Sequence, residues 1–280
     1  MTSLDRPNFM VVGAQKAGTT SLYHYLNQHD GIFMPNPKEL HFFDTNEPIA
    51  ENEFNKYLKR FRTQKEYLGK GEATPIYMFY PHTLEKIKSF LPELKIIIVL
   101  RNPTRRAYSH YWYEVARGWE SENFIEAISR GSNNSDLYLR HHSYVERSLY
   151  SNQLDRAYRI FGSENVLVIK FEELIASPLE LTNTVLDFIS PQLTPLTRVE
   201  SSPRNVARLP KFKWTLSATA KLNYTFGRNL ASRLLILLNR GGTKYPALST
   251  VEQRQLEKII RIKDPTMINL YPEIFTDIDV

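Results

Sequence analysis

Cysteine is absent from this sequence of 280 residues. Its absence excludes disulfide frameworks, thiolate nucleophiles and cysteine-ligated zinc or iron–sulfur centres. Long apolar runs are missing too. The longest near the C-terminus, residues 234–238, falls far short of the roughly 20 residues that a membrane-spanning helix needs. Residues 1–7 are polar and hold Asp5 and Arg6 where a secretory signal would place an apolar core. These absences set the expectation of a soluble, cytoplasmic protein with no membrane partner. Neither a repeat nor a low-complexity tract is visible. Acidic residues are the scarcer charge, 30 against 36 basic, for a net charge of +6. That balance suits an anionic small ligand as well as it suits nucleic acid. What is present is an ordinary globular composition, 42% apolar with 11 glycines, enough to bury a sizeable core. The length fits one domain spanning 1–280 with large insertions.

Strand and helix patterns alternate along the chain. Phe9-Met10-Val11-Val12 is an apolar run that stops at Gly13, as a buried strand does. Leu22, Tyr25, Leu26 and His29 follow at helical spacing, and Thr19 or Thr20 is placed to cap that helix. Lys95 to Leu100 reads as a central parallel strand, continuously apolar and branched. After Arg101, Asn102 and Pro103 supply a helix start, with Tyr108, Tyr111, Trp112 and Val115 as the core stripe and Ser109 on another face. Val166 to Ile169 reads as a further strand, preceded by a helix carrying Tyr150, Leu154, Ala157, Tyr158 and Phe161. A short strand is expected around residues 67–72. This order predicts an α/β fold, a central parallel β-sheet flanked by helices in three layers, with ligands at the carboxyl ends of the strands. The basic stretch 201–245 reads as a lid or cofactor-loop insertion within the single domain.

The segment Gly13-Ala14-Gln15-Lys16-Ala17-Gly18-Thr19-Thr20-Ser21 lies between strand and helix. Its glycines form a nest of backbone N–H groups, the helix N-terminus adds its positive end, and Thr19, Thr20 and Ser21 add hydroxyls. This is a P-loop-like site for a phosphate-like anion. It departs from the nucleoside triphosphate loop, in which Lys follows the second Gly directly. Here Thr19 takes that place and Lys16 comes earlier. The strand after it ends in Arg101 rather than in a magnesium-binding Asp. Cationic side chains in place of a metal ion are the expectation.

Lys16-Ala17-Gly18-Thr19-Thr20 resembles the Lys-x-Gly-Thr-Thr loop of the 3′-phosphoadenosine 5′-phosphosulfate (PAPS)-dependent sulfotransferases. An apolar strand ending in Arg101, with Ser109 eight positions on, is similar to that family's 3′-phosphate site. Arg240-Gly241-Gly242-Thr243-Lys244 is similar to its late cofactor loop. The resemblance implies that PAPS binds Lys16, Ala17, Gly18, Thr19, Thr20, Ser21, Arg101, Ser109 and the 240–244 loop, and leaves as adenosine 3′,5′-bisphosphate (PAP). It also implies that Lys16 neutralises charge on the departing phosphate.

Lys38-Glu39-Leu40-His41-Phe42-Phe43-Asp44 places ionisable groups beside aromatic bulk. Apolar neighbours raise a carboxyl's pKa while a nearby Lys lowers it, so the sequence leaves the direction open. The segment is similar to the catalytic stretch of the heparan-sulfate-type branch. That similarity implies Glu39 as the base on the acceptor, His41 as its support or its rival, and Lys38 and Asp44 as acceptor contacts. Gly71-Glu72-Ala73-Thr74-Pro75 matches a segment lining the acceptor cleft, with Glu72 as a further contact. Glycan-modifying members often carry Lys near this point, and Ala73 here suits a neutral or cationic acceptor. His141-His142 reads as a solvated face.

The resulting expectation is an enzyme that sulfates a hydroxyl or amine of a small molecule or carbohydrate. Guanidinium alkaloid toxins of cyanobacteria are one acceptor class the resemblance admits. No nucleic acid partner is expected. Two rivals stand beside it: a P-loop kinase or NTPase, and a non-enzymatic basic anion-binding protein resting on Arg204 to Lys213.

Overall fold

The computed structural model describes residues 6–130, 135, 137–201, 234, 243–270 and 272. Its strands in chain order are β1 (Phe9–Gly13), β2 (Ile32–Phe33), β3 (Gly69–Ala73), β4 (Lys95–Leu100) and β5 (Val166–Lys170). They form one sheet in the order β2-β3-β1-β4-β5, every pairing parallel. Val11 sits opposite Ala73 on one side and Ile97 on the other. A strand so placed is covered on both faces, which is why β1 and β4 read as unbroken apolar runs. β3 has no such run. Its sequence, Gly-Lys-Gly-Glu-Ala, is nonetheless buried throughout. Gly71 lets the ring of Phe9 approach so closely that a Cβ there would lie 2.5 Å from it, and Lys70 Nζ donates to the Phe61 carbonyl at 3.0 Å.

The helices are α1 (Thr19–Leu26), α2 (Glu51–Leu58), α3 (Thr83–Phe90), α4 (Pro103–Ala116), α5 (Phe124–Ser129), α6 (Ser151–Phe161), α7 (Phe171–Ala176), α8 (Pro178–Ile189), α9 (Thr250–Lys263) and α10 (Pro265–Leu270). In one layer α3 packs on α6, which lies on β4 and β5. In the other α1 and α7 pack on α8. The α/β expectation of a parallel sheet between helix layers is met. Among the described residues no helix is long and apolar enough to cross a membrane.

The chain divides into two compact units. The first contains the sheet with α1, α2, α3, α6, α7 and α8, from the described residues of 6–101 and 151–201. The second contains α4, α5, α9 and α10, from the described residues of 102–150 and 234–272. Most of the 201–245 segment, expected as a lid, lies outside the described residues.

In the second unit α4 starts as its sequence predicts. Pro103 occupies the first turn, and Asn102 Oδ1 accepts from the amides of Thr104 at 3.0 Å and Arg105 at 3.2 Å. Tyr108, Tyr111 and Val115 are buried, whereas Trp112 is only half-buried. The histidine pair differs from expectation. His141 Nδ1 meets Glu114 Oε2 at 2.9 Å and its ring stacks on Trp119, while the buried His142 meets Glu120 at 3.2 Å. They lie on a π-helical turn (Tyr138–His142), whose wider period brings adjacent rings to neighbouring carboxylates that a plain helix would not align.

Candidate active site

The loop after β1 curls through two left-handed residues, Lys16 at φ 70° and Gly18 at φ 88°. Such alternation turns successive amides toward one concavity. α1 begins at Thr19. The expected Thr cap is replaced by Gly18, which has no capping side chain, and the first turn has no acidic residue. The N-cap residue therefore offers these amides no side-chain acceptor, and no acid of the first turn offsets the positive end of the helix dipole. Ala17, Thr19 and Ser21 are buried, whereas Lys16 and Thr20 are half-exposed.

β4 ends beside this loop. One Arg101 terminal nitrogen, Nη1, donates to the Lys16 carbonyl at 3.1 Å. The guanidinium lies 4.6 Å from the centroid of the Phe171 ring, within cation–π range. The same ring borders Gly18, where an added Cβ would meet it at 2.6 Å. Phe171 thus ties the end of β4 to the β1 loop. β1 and β4 are adjacent strands whose following connections run to opposite sides of the sheet. That topological switch point is the usual ligand crevice of open α/β sheets. An ammonium, a guanidinium, helix-end amides and three hydroxyls, with no acid in residues 13–21, make a set rich in donors. It fits a phosphate-bearing anion.

The expected cofactor residues are divided between the two units. Lys16, Ala17, Gly18, Thr19, Thr20, Ser21 and Arg101 belong to the first unit, whereas Ser109, Thr243 and Lys244 belong to the second. Ser109 is buried at 6% exposure, not on an outer face of α4. Arg240, Gly241 and Gly242 lie outside the described residues.

Also in the first unit, the segment Lys38–Asp44 forms a compact charge cluster. Lys38 Nζ donates to Glu39 Oε1 at 2.7 Å. The ring of His41 stands between two carboxylates, with Nδ1 at 2.7 Å from Asp44 Oδ2 and Nε2 at 3.7 Å from Glu39 Oε2. Burial pushes the Glu39 carboxyl up, but His41 and Lys38 outweigh it and hold it at about 2. Asp44, then Glu39, raise His41 to about 9. At neutral pH Glu39 is ionised and His41 is an imidazolium. The direction that the sequence leaves open is downward.

The structure treats Glu72 differently from the acceptor contact expected of it. It is buried at 1% exposure. One carboxylate oxygen accepts from Tyr57 Oη at 2.8 Å and the other from Thr74 Oγ1 at 2.7 Å. Burial raises this carboxyl to about 7 against those hydrogen bonds. Three residues that the sequence analysis passes over complete the arrangement: Tyr57, Tyr77 and Phe171. Tyr57 lies in a helical apolar stripe and Tyr77 in an apolar turn, so nothing in the sequence distinguishes a hydrogen-bonding phenol from a core ring.

The chain matches the sulfotransferase domain family over residues 6–225. It is 27% identical to heparan sulfate glucosamine 3-O-sulfotransferase 5 of Mus musculus across 66% of this chain and 53% of that protein. Among solved structures, a sulfotransferase from Alicyclobacillus acidocaldarius aligns at 32% identity and TM-score 0.58, covering 81% of this chain and 99% of that one. The mouse sulfotransferase SULT7A1 complexed with PAP aligns at 18% identity and TM-score 0.51, covering 96% of this chain and 88% of that one, a likeness of fold. The chain spans 23%, 53% and 22% of the length of the first three curated relatives.

Proposed function

This chain belongs to the sulfotransferase family and is an enzyme of that class, and from that premise we propose that it transfers a sulfuryl group from PAPS to a hydroxyl or amine of a small-molecule or carbohydrate acceptor, releasing PAP. The observation that carries this reading is the 3.1 Å hydrogen bond from Arg101 to the Lys16 carbonyl. It brings the guanidinium at the end of β4 to the backbone of the loop after β1, so that two adjacent strand ends each offer a positive group to a ligand with separated phosphates. PAPS, when bound, supplies the activated sulfuryl group. The amides of residues 17–20 and the uncapped end of α1 hold its phosphosulfate end. The Lys16 ammonium offsets negative charge that builds on the leaving phosphate. Arg101, kept planar over Phe171, presents its fork to the second phosphate, with Ser109 and the 240–244 loop assigned to the same task.

Glu39 takes the proton from the acceptor. A carboxyl held at about 2 is a weak base at rest, so its basicity depends on how far His41 and Lys38 relax their hold as the acceptor enters. His41 anchors Glu39 to Asp44, and Lys38 and Asp44 frame the acceptor. Ala73, in a segment where glycan-modifying members often carry Lys, supports a neutral or cationic acceptor.

Calorimetry tests the premise. PAP is expected to bind the wild-type protein, and Lys16→Ala to lower turnover by about a hundred- to a thousand-fold, the range seen when one preorganised donor is removed, while PAP affinity changes far less. Heat exchange with ATP and none with PAP would replace this reading by a nucleoside triphosphate enzyme.

A further inference from the structure

We propose that Tyr77 is a positioning residue: its buried hydroxyl oxygen holds the backbone of the loop that presents Glu39 and His41, and ties that loop to the strand leading into the phosphate loop. The proposal rests on the reading above that Glu39 and His41 face the acceptor. Both residues are left-handed, at φ 66° and 51°, and such backbone persists only where the surroundings fix it. Their side chains are exposed, so the packing of those side chains does not supply the constraint. The next two residues do. The Phe42 N–H donates to Tyr77 Oη at 2.8 Å, and the Phe43 N–H reaches the same oxygen at 3.4 Å. Phe42 also stacks on Tyr57 with ring centroids 4.6 Å apart, and Phe43 meets the rings of Tyr57, Tyr77 and Phe90. Ring contacts hold the loop down. Hydrogen bonds are directional, so two amides converging on one oxygen also set the peptide planes that follow His41.

Tyr77 can serve as this anchor because its own segment is fixed to β1. Beyond β3 the Thr74 N–H donates to the Val11 carbonyl at 3.1 Å, and the Met78 N–H to the Val12 carbonyl at 3.0 Å. The Tyr77 N–H closes the turn onto the Thr74 carbonyl at 3.2 Å. From α6, Arg156 Nη2 donates to the Met78 carbonyl at 2.6 Å. The Met78 side chain covers Gly13, where an added Cβ would lie 2.0 Å from its sulfur. Adjacent residues of one turn therefore touch both sides of the site, Met78 the start of the phosphate loop and Tyr77 the acceptor-side loop. The Tyr77 side chain is fully buried. Burial, then the Glu72 carboxyl, push its phenol well above the ordinary 10, so the hydroxyl stays neutral at physiological pH and the hold does not titrate there.

The test uses the full chain and Tyr77→Phe, which keeps the ring and removes the oxygen. Amide exchange is followed by NMR at 15N-labelled Phe, Thr and Met. The Phe42 amide of the wild type is expected to exchange as slowly as those of Thr74 and Met78. In Tyr77→Phe it exchanges roughly tenfold faster, the scale of one net hydrogen bond, while Thr74 and Met78 keep their rates. The His41 ring gives the second readout, its 13C signal identified by its absence in His41→Asn. Asp44 and Glu39 hold this imidazole at about 9 as long as the loop keeps the three groups together, with Lys38 on the far side of Glu39. Its midpoint is expected to fall toward 6.5 in Tyr77→Phe, with the Kd for PAP unchanged by calorimetry. A merely structural role for Tyr77 would speed exchange at Thr74 and Met78 as much as at Phe42 and leave the His41 midpoint in place, and either result overturns the proposal. If Tyr77→Phe does not fold, the wild type decides, because a Phe42 amide that exchanges far faster than Thr74 and Met78 is not held. Failure of the wild type to bind PAP would instead overturn the assigned reaction and leave the exchange and titration results standing.

Discussion

Position 39 places one carboxylate within 4 Å of both an ammonium and an imidazolium, and the proton-transfer chemistry depends on which of the two yields first. Removing the carboxylate charge by Glu39→Gln is expected to cut turnover by a hundred- to ten-thousand-fold, the usual contribution of a positioned base, with PAP affinity retained by calorimetry. His41→Ala makes the complementary measurement. Without the imidazolium, the Glu39 carboxyl rises from about 2 toward its ordinary value of 4.5, and the acid limb of the pH–rate profile moves up with it. An active Glu39→Gln beside an inactive His41→Ala would transfer the base to His41. The residues of this cluster are legible in the sequence because they are contiguous. The sign of the electrostatics is not, because it depends on where the His41 ring turns. Glu72 was legible as part of the site only by its position. Its burial follows from pairing between distant strands.

Among elements, the strand–loop–helix unit of β1 and α1 shows how closely the cofactor side is packed. Gly18 has a left-handed φ of 88° and leaves no room beside Phe171. Gly18→Ala therefore costs roughly 1–2 kcal/mol of backbone strain and displaces the ring from Arg101. The expected result is a lower Tm together with weaker PAP binding, and an unchanged Kd would separate Phe171 from the cofactor grip. β1, β4 and β5 are readable as strands because their positions in the sheet demand apolar residues. β3 is hardly readable, because close packing against Phe9 selects glycine, and Lys70 and Glu72 find buried partners that no local pattern announces. β2, two residues long, carries no period at all. The cap of α4 is readable because Asn-Pro acts locally. The left-handed cap of α1 is not, since Gly18 meets a loop requirement rather than a helix one.

For the whole molecule, the most deeply buried titrating groups of the two units, Glu72 in the first and His110, Glu114 and Glu120 in the second, respond to pH in opposite directions. In the first, Glu72 titrates at about 7 when folded and near 4.5 when unfolded. The folded state holds the extra proton between those values, so this contribution is complete below 4.5 and is lost as pH rises through 7, on the order of 3 kcal/mol. In the second, burial keeps His110 well below its ordinary 6.5. Against burial, His110 at 3.5 Å and the hydrogen-bonded His141 hold Glu114 at about 2, as His142 and Arg130 do Glu120. Here the unfolded chain binds the extra protons, and stability is lost as pH falls below 6.5 and on through 2. Hydrogen exchange is expected to show amides of α4 losing protection on acidification from pH 7 to 4 while those of β1 and β4 keep theirs. Equal loss in both would contradict this assignment. The 38–44 loop, whose Phe42 and Phe43 amides donate to Tyr77 while Glu39 and His41 are exposed, has a use in directed evolution. With Glu39 kept as the base, a library varied at 41 within the residues that tolerate left-handed backbone, Gly, Asn, Asp and His, would vary the acceptor side of the site without recoding its scaffold.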